Sequence, residues 1–112
     1  MMPVERWWLC TMAVDMRKGI DSLVALVLSA FTQGTQSHTA YVFCNRHGTR
    51  LKVVLWDGLG FWLCARRLER GRFVLPVNTD APIELSAEQF AWLIAGVDWQ
   101  RLGQQRRMPT CI

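Results

Sequence analysis

Any chemistry in this chain has to come from a short inventory of reactive side chains. Two histidines, His38 and His47, and four cysteines, Cys10, Cys44, Cys64 and Cys111, are the groups suited to nucleophilic, metal-ligating or proton-shuttling work near neutral pH. Cys44 and His47 stand in a C-x-x-H spacing that offers two zinc ligands, but a closed site needs four and no second pair lies nearby. As a nucleophile Cys44 would need a cation or histidine to lower its pKa, and its place at the end of an apolar run works the other way. The nine carboxylates are dispersed, and both histidines fall in loop-like segments without an obvious acid–base partner. The chain contains no GxxxxGK(S/T) loop, no GxGxxG, no GxSxG and no HExxH. Asp57-Gly58-Leu59-Gly60 looks like a phosphate loop only superficially, because between two strand-like runs it reads as a hairpin turn. The expectation is a protein without catalytic residues, metal or cofactor.

Positive charge is the one concentrated feature. The net charge is +4, with 13 basic and 9 acidic residues. Between positions 46 and 72 the cations Arg46, Arg50, Lys52, Arg66, Arg67, Arg70 and Arg72 stand against only Asp57 and Glu69, so this stretch holds the entire surplus. Eleven of the thirteen cations are arginine, which suits planar, bidentate recognition of phosphate or carboxylate. If Arg50 begins a strand, alternation sends Arg50 and Lys52 to the same side as Val54 and Trp56, a mixed face able to hold a phosphate backbone and stack on bases. The plainer reading is a solvated strand face. A second basic pair, Arg17-Lys18, would lie in the first turn of a helix, where the macrodipole disfavours cations. Such a placement marks a contact site or is settled by a structural ion pair of Arg17 with a strand-end carboxylate.

The elements that must position these groups follow from periodicity. Trp7–Cys10 reads as a short strand. Asp15 then caps a helix from Met16 to Phe31, with Ile20, Leu23, Val24, Val27 and Phe31 on one face. Gly34 in the polar stretch 33–37 opens a loop. Thr39–Cys44, Arg50–Trp56 and Phe61–Arg67 are three strands of an antiparallel meander joined by short glycine-containing turns, and Phe73–Leu75 offers a fourth before Pro76. Ser86-Ala87-Glu88-Gln89 is a capping box that opens a second helix ending near Gly96. The expected fold is α+β: a small antiparallel sheet of three to four strands flanked by two helices, one domain over residues 1–102, with 103–112 a flexible tail.

At 51% hydrophobic and 20% charged residues the composition is that of a globular domain. The longest apolar stretch, Leu23–Phe31, is far short of the ~20 residues a membrane-spanning helix needs. Met1–Val14 lacks a cleavage site before Asp15, so no export signal is expected. Reduced cysteines in a cytoplasmic protein fit this reading.

Several strings occur in a recognisable order. They are Asp15-Met16-Arg17-Lys18-Gly19-Ile20-Asp21-Ser22-Leu23, Tyr41-Val42-Phe43, Leu51-Lys52-Val53, Trp56-Asp57-Gly58-Leu59-Gly60-Phe61-Trp62-Leu63 and Arg67-Leu68-Glu69-Arg70-Gly71-Arg72-Phe73. Leu85-Ser86-Ala87-Glu88-Gln89 and Gly96-Val97-Asp98-Trp99 follow. In this order, over about residues 7 to 102, the chain resembles the TnpB-type accessory protein encoded by a second open reading frame of certain bacterial insertion sequences. It is not similar to the RNA-guided nuclease that shares the label. The loop Thr32–His38, Cys44-Asn45-Arg46-His47, Ala65-Arg66 and the tail from Gly103 depart from the family pattern. The resemblance implies a part in DNA transposition beside a separate catalytic transposase, with no catalytic activity of its own. Two modes of action remain open: contact with DNA through Arg17, Lys18, Arg46, Arg50, Lys52, Arg66, Arg67, Arg70 and Arg72, or binding of the transposase by the same arginines and the tryptophans. Oligomeric state is left open.

Overall fold

The computed structural model describes residues 4–30, 38–76 and 81–101. Its elements in chain order are β1 (Arg6–Leu9), α1 (Ile20–Ala30), β2 (Thr39–Cys44), β3 (Arg50–Trp56), β4 (Phe61–Arg67), β5 (Ile83–Leu85) and α2 (Ala87–Ile94). The strands form one sheet in the order β4-β3-β2-β1-β5. β1 and β2 are parallel, as a strand–helix–strand crossover through α1 requires, and the other neighbours are antiparallel.

The α+β class holds, but the sheet has five strands and is mixed, where three to four antiparallel ones were expected. Strand-favouring Val, Trp, Phe and Tyr and short glycine-containing turns carried β2, β3 and β4. They could not reveal β5, which is only three residues long and pairs with β1 from the far end of the chain. Phe73–Leu75 is not a strand: Phe73 is buried, and its N–H is taken by Gly48 O at 2.7 Å. Gly48 sits at φ +71, and a Cβ there would meet Phe73 O at 3.0 Å, so the turn needs glycine for both reasons.

The first helix begins at Ile20 and not at Met16. Asp15 acts one turn earlier than a cap would, its carboxylate accepting from Arg17 N at 2.8 Å while its carbonyl accepts from Lys18 N. A short polar side chain serves such a turn as readily as it serves a helix start. Arg17-Lys18 therefore precede the helix, and the expected conflict with its dipole does not arise. Phe31 and the stretch 33–37 lie outside the described residues, as does the tail 103–112. The capping box of α2 forms as read, with Ser86 Oγ accepting from Gln89 N and Gln89 Oε1 accepting from Ser86 N.

Strand alternation divides the apolar residues into two cores on opposite sides of the sheet. On one side Leu23 and Val27 of α1 cover Tyr41, Phe43 and Val54. On the other, Leu93 of α2 joins Leu9, Val42, Cys44, Leu51, Leu85, Phe73 and Trp99. Trp99 is fixed by its Nε1–H, which donates to Val74 O at 2.6 Å. Each helix buries its stripe against a separate face, giving three layers.

Candidate nucleic-acid interface

The cations from the strand meander gather at one end of the sheet, not on one face. In the β3–β4 register Arg50 lies opposite Arg67, Leu51 opposite Arg66 and Lys52 opposite Ala65. Arg50, Lys52 and Arg67 thus share the α1 side, whereas Arg66 points to the α2 side. Arg46 sits in the turn from β2 to β3, and Arg70 and Arg72 follow β4, all at that same end. The main-chain bonds Asp57 N to Gly60 O and Leu68 N to Thr49 O set the phase of this ladder. They make Arg50–Arg67 a non-hydrogen-bonded pair, with Cα atoms roughly 4.5 Å apart and side chains close. Like charges so placed destabilise a sheet. The surrounding surface is an open depression of about 490 Å³ lined by Met16, Arg50, Leu51, Lys52, Ala65, Arg66, Arg67 and Glu69.

Partners distinguish these cations. Arg67 pairs with Glu69 at 2.9 Å and Arg17 with Asp15 at 2.6 Å, both exposed. The Arg17 guanidinium is the main reason the Asp15 carboxyl falls from 3.8 to about 2, and that hydrogen-bonded pair raises the Arg17 pKa in turn. Lys52 turns inward along the sheet end, its ammonium donating to Met16 O at 2.7 Å and Lys18 O at 2.9 Å. Lys18 is exposed beside it. Among the described residues Arg46, Arg50, Arg66, Arg70 and Arg72 make no ion pair. These five guanidinium groups are exposed and available to an anion.

The open face of alternating cations and tryptophan does not form. α1 packs over Val54 and Leu63, and Trp56 packs on the Phe61 ring at 4.7 Å, at the opposite end of β3 from Arg50. A helix already occupies the surface where bases would stack. Among the described residues Arg6 lies over an indole, 5.7 Å above Trp8, and is held by Glu84 at 2.8 Å. This arrangement depends on β5 and gave no signal in the sequence.

The reactive inventory is likewise placed. Cys44 is buried and Cys10 half-buried, and desolvation pushes both thiols up to about 12, so neither is a thiolate near neutrality. His47 is exposed in the β2–β3 turn, and among the described residues no three of His, Cys, Asp and Glu converge on one point. Asp57 is committed to its turn: it accepts from Leu59 N and Gly60 N, both at 2.7 Å, and from Trp62 Nε1 at 2.8 Å. Those bonds, that from Leu59 first, hold its carboxyl below the ordinary value. Among the described residues no helix is long and apolar enough to cross a membrane.

Two curated proteins of Sinorhizobium fredii, the uncharacterized proteins y4jC and y4hO, are each 38% identical to this chain over 105 residues. That is 94% of this chain and 87% and 90% of theirs. No solved structure matches it. The family model described as IS66 Orf2 like protein matches residues 5–104, which takes in both cores, the basic end and the capped second helix. The chain belongs to the IS66 Orf2-like family of insertion-sequence accessory proteins.

Proposed function

We propose that this accessory protein serves transposition without catalysing it, by gripping DNA at the basic end of its sheet. Arg46, Arg50, Arg66, Arg70 and Arg72 bind backbone phosphates, and Arg67, Arg17 and Lys18 flank them. The observation that carries this reading is five exposed guanidinium groups at one end of the fold, none ion-paired among the described residues. With Arg50 and Arg67 already opposed, an arriving phosphate relieves a repulsion as well as forming bidentate bonds. Lys52 has a supporting role, because its ammonium holds the 16–18 segment in place. Recognition is of the backbone, since α1 covers Val54 and Leu63 on the face that carries Arg50. The protein acts in the cytoplasm beside the transposase, needs no metal or cofactor, and leaves strand cleavage to its partner.

Fluorescence anisotropy with element-end DNA over a range of salt concentrations tests this. About five phosphate contacts give log K against log salt a slope of roughly −4 to −5. A slope near zero excludes the reading.

Trp62, 53% exposed, and the arginines at the other end of β4 also support an adaptor that binds transposase directly. Transposase retained on this protein after nuclease treatment, by a preparation that ignores DNA, selects the adaptor.

A further inference from the structure

β4 closes one side of the sheet, and among the described residues no strand pairs with its outer edge. The ladder phase turns the N–H and C=O groups of Trp62, Cys64 and Arg66 toward β3. Those of Phe61, Leu63, Ala65 and Arg67 therefore face outward. Such an edge is a template for another strand. β4 is also polar along its length, with Phe61, Trp62 and Leu63 at the start and Arg66 and Arg67 at the end.

We infer that a second copy of this chain occupies the edge, pairing β4 with β4 antiparallel about a two-fold axis at Cys64. A strand with one aromatic and one cationic half is complementary to itself in that sense. Arg66 comes opposite Trp62 of the partner subunit, and Arg67 opposite Phe61 of the partner subunit, which sets guanidinium groups against aromatic rings. Centring the pairing on Arg66 instead would set guanidinium against guanidinium. The phase agrees. In the Cys64 register Phe61, Leu63, Ala65 and Arg67 become the hydrogen-bonded positions, giving about eight inter-subunit bonds. Trp62–Arg66 and Cys64–Cys64 become the closer, non-hydrogen-bonded pairs. The Trp62 ring is already fixed by the bond from its Nε1 to Asp57 Oδ2, so little side-chain freedom is lost on pairing. An acidic segment from another protein would match only the cationic half. The two basic ends of the dimer point in opposite directions, separated by roughly 20 Å of strand, and Arg66 and Arg67 can stack by the guanidinium face while keeping their N–H edges for phosphate.

Light scattering on the full chain across a dilution series tests the inference, with circular dichroism reporting the fold. The expected result is a dimer weakened at least about tenfold by either of two substitutions. Ala65→Pro removes an outward N–H and leaves the β3 ladder intact. Cys64→Lys sets two ammonium groups together at the axis from an exposed position, and carries the test alone should the proline variant not fold. In a Cys111→Ser background a short bismaleimide should join two chains, and Cys64→Ser should abolish that product. A monomer at every concentration, a dimer indifferent to the folded variants, or a cross-link that survives Cys64→Ser overturns the inference. So does a monomer whose edge is filled only when an acidic transposase segment is added.

Discussion

Lys52 donates to the main-chain carbonyl of Lys18 at 2.9 Å, so the only two lysines of the chain are joined through ammonium and backbone. The same ammonium holds Met16 O at 2.7 Å, pinning the segment before α1 to the end of β3. Replacing Lys52 with Met removes both charge-assisted bonds. It should cost about 1–2 kcal/mol of stability in urea unfolding. The salt slope of DNA binding should change little, and a slope reduced by a full unit with unchanged stability would show that Lys52 binds phosphate instead.

Arg50 should behave in the opposite way. With no ion pair to lose among the described residues and a like charge opposite, Arg50→Ala should leave stability unchanged or raise it by a few tenths of a kcal/mol. The magnitude of the salt slope should drop by about one. Equilibrium unfolding and an anisotropy salt series on the same preparation read both effects, and a large loss of stability would contradict the placement.

The Asp15 carboxyl titrates at about 2 when folded, against 3.8 ordinarily, chiefly through its bonds from Arg17. A folded value below the unfolded one means that the contribution of this pair is complete above about pH 4. It is lost as pH falls toward 2. Carboxyl chemical shifts followed by NMR should give the low value, and Arg17→Gln should return it part of the way toward 3.8, because the bond from the main-chain N–H of residue 17 remains. An Asp15 pKa that ignores the substitution would dissociate the pair.

Thiol labelling should separate the cysteines by burial. In the Cys111→Ser background Cys64, which is exposed, should react first with iodoacetamide at neutral pH. Cys10 and Cys44, both pushed up to about 12, should stay protected until the protein unfolds. Mass spectrometry of partly labelled protein resolves the order, and prompt modification of Cys44 would mean that its core is open.

Loss of the cap at Ser86 should destabilise α2 by about 1 kcal/mol, because it removes the oxygen that accepts from Gln89 N, while the bond from Ser86 N to Gln89 Oε1 remains. Ser86→Ala measured against Ser86→Asp isolates the hydrogen bond, since Asp restores the acceptor. Equal stability of the two variants would remove the cap from the account.

Legibility in the sequence followed the range of each interaction. The capping box needs only four consecutive residues and was readable, as were β2, β3 and β4, whose strand-favouring residues and tight turns are local. β5 was not, because three residues acquire strand character only when β1 arrives beside them. Asp15 misled because a helix start and a short turn make the same demand on its side chain. The basic residues were identifiable one by one, yet their distribution depends on which strand face each occupies and on where α1 lands. Alternation put Arg50 and Lys52 on one side, but nothing local told that a helix covers that side further along, or that Lys52 bends back to two carbonyls.

β1 lies between β2 and β5, so the earliest strand is flanked by one made soon afterwards and one made almost last. During synthesis the α1 layer and the meander can close while α2 is still inside the ribosome, leaving Leu9 and Val42 without their cover. The nascent chain thus presents its arginine-bearing end in near-final form before its second core exists, and a pause or truncation upstream of Ile83 would release a half-covered sheet prone to sticking to its neighbours.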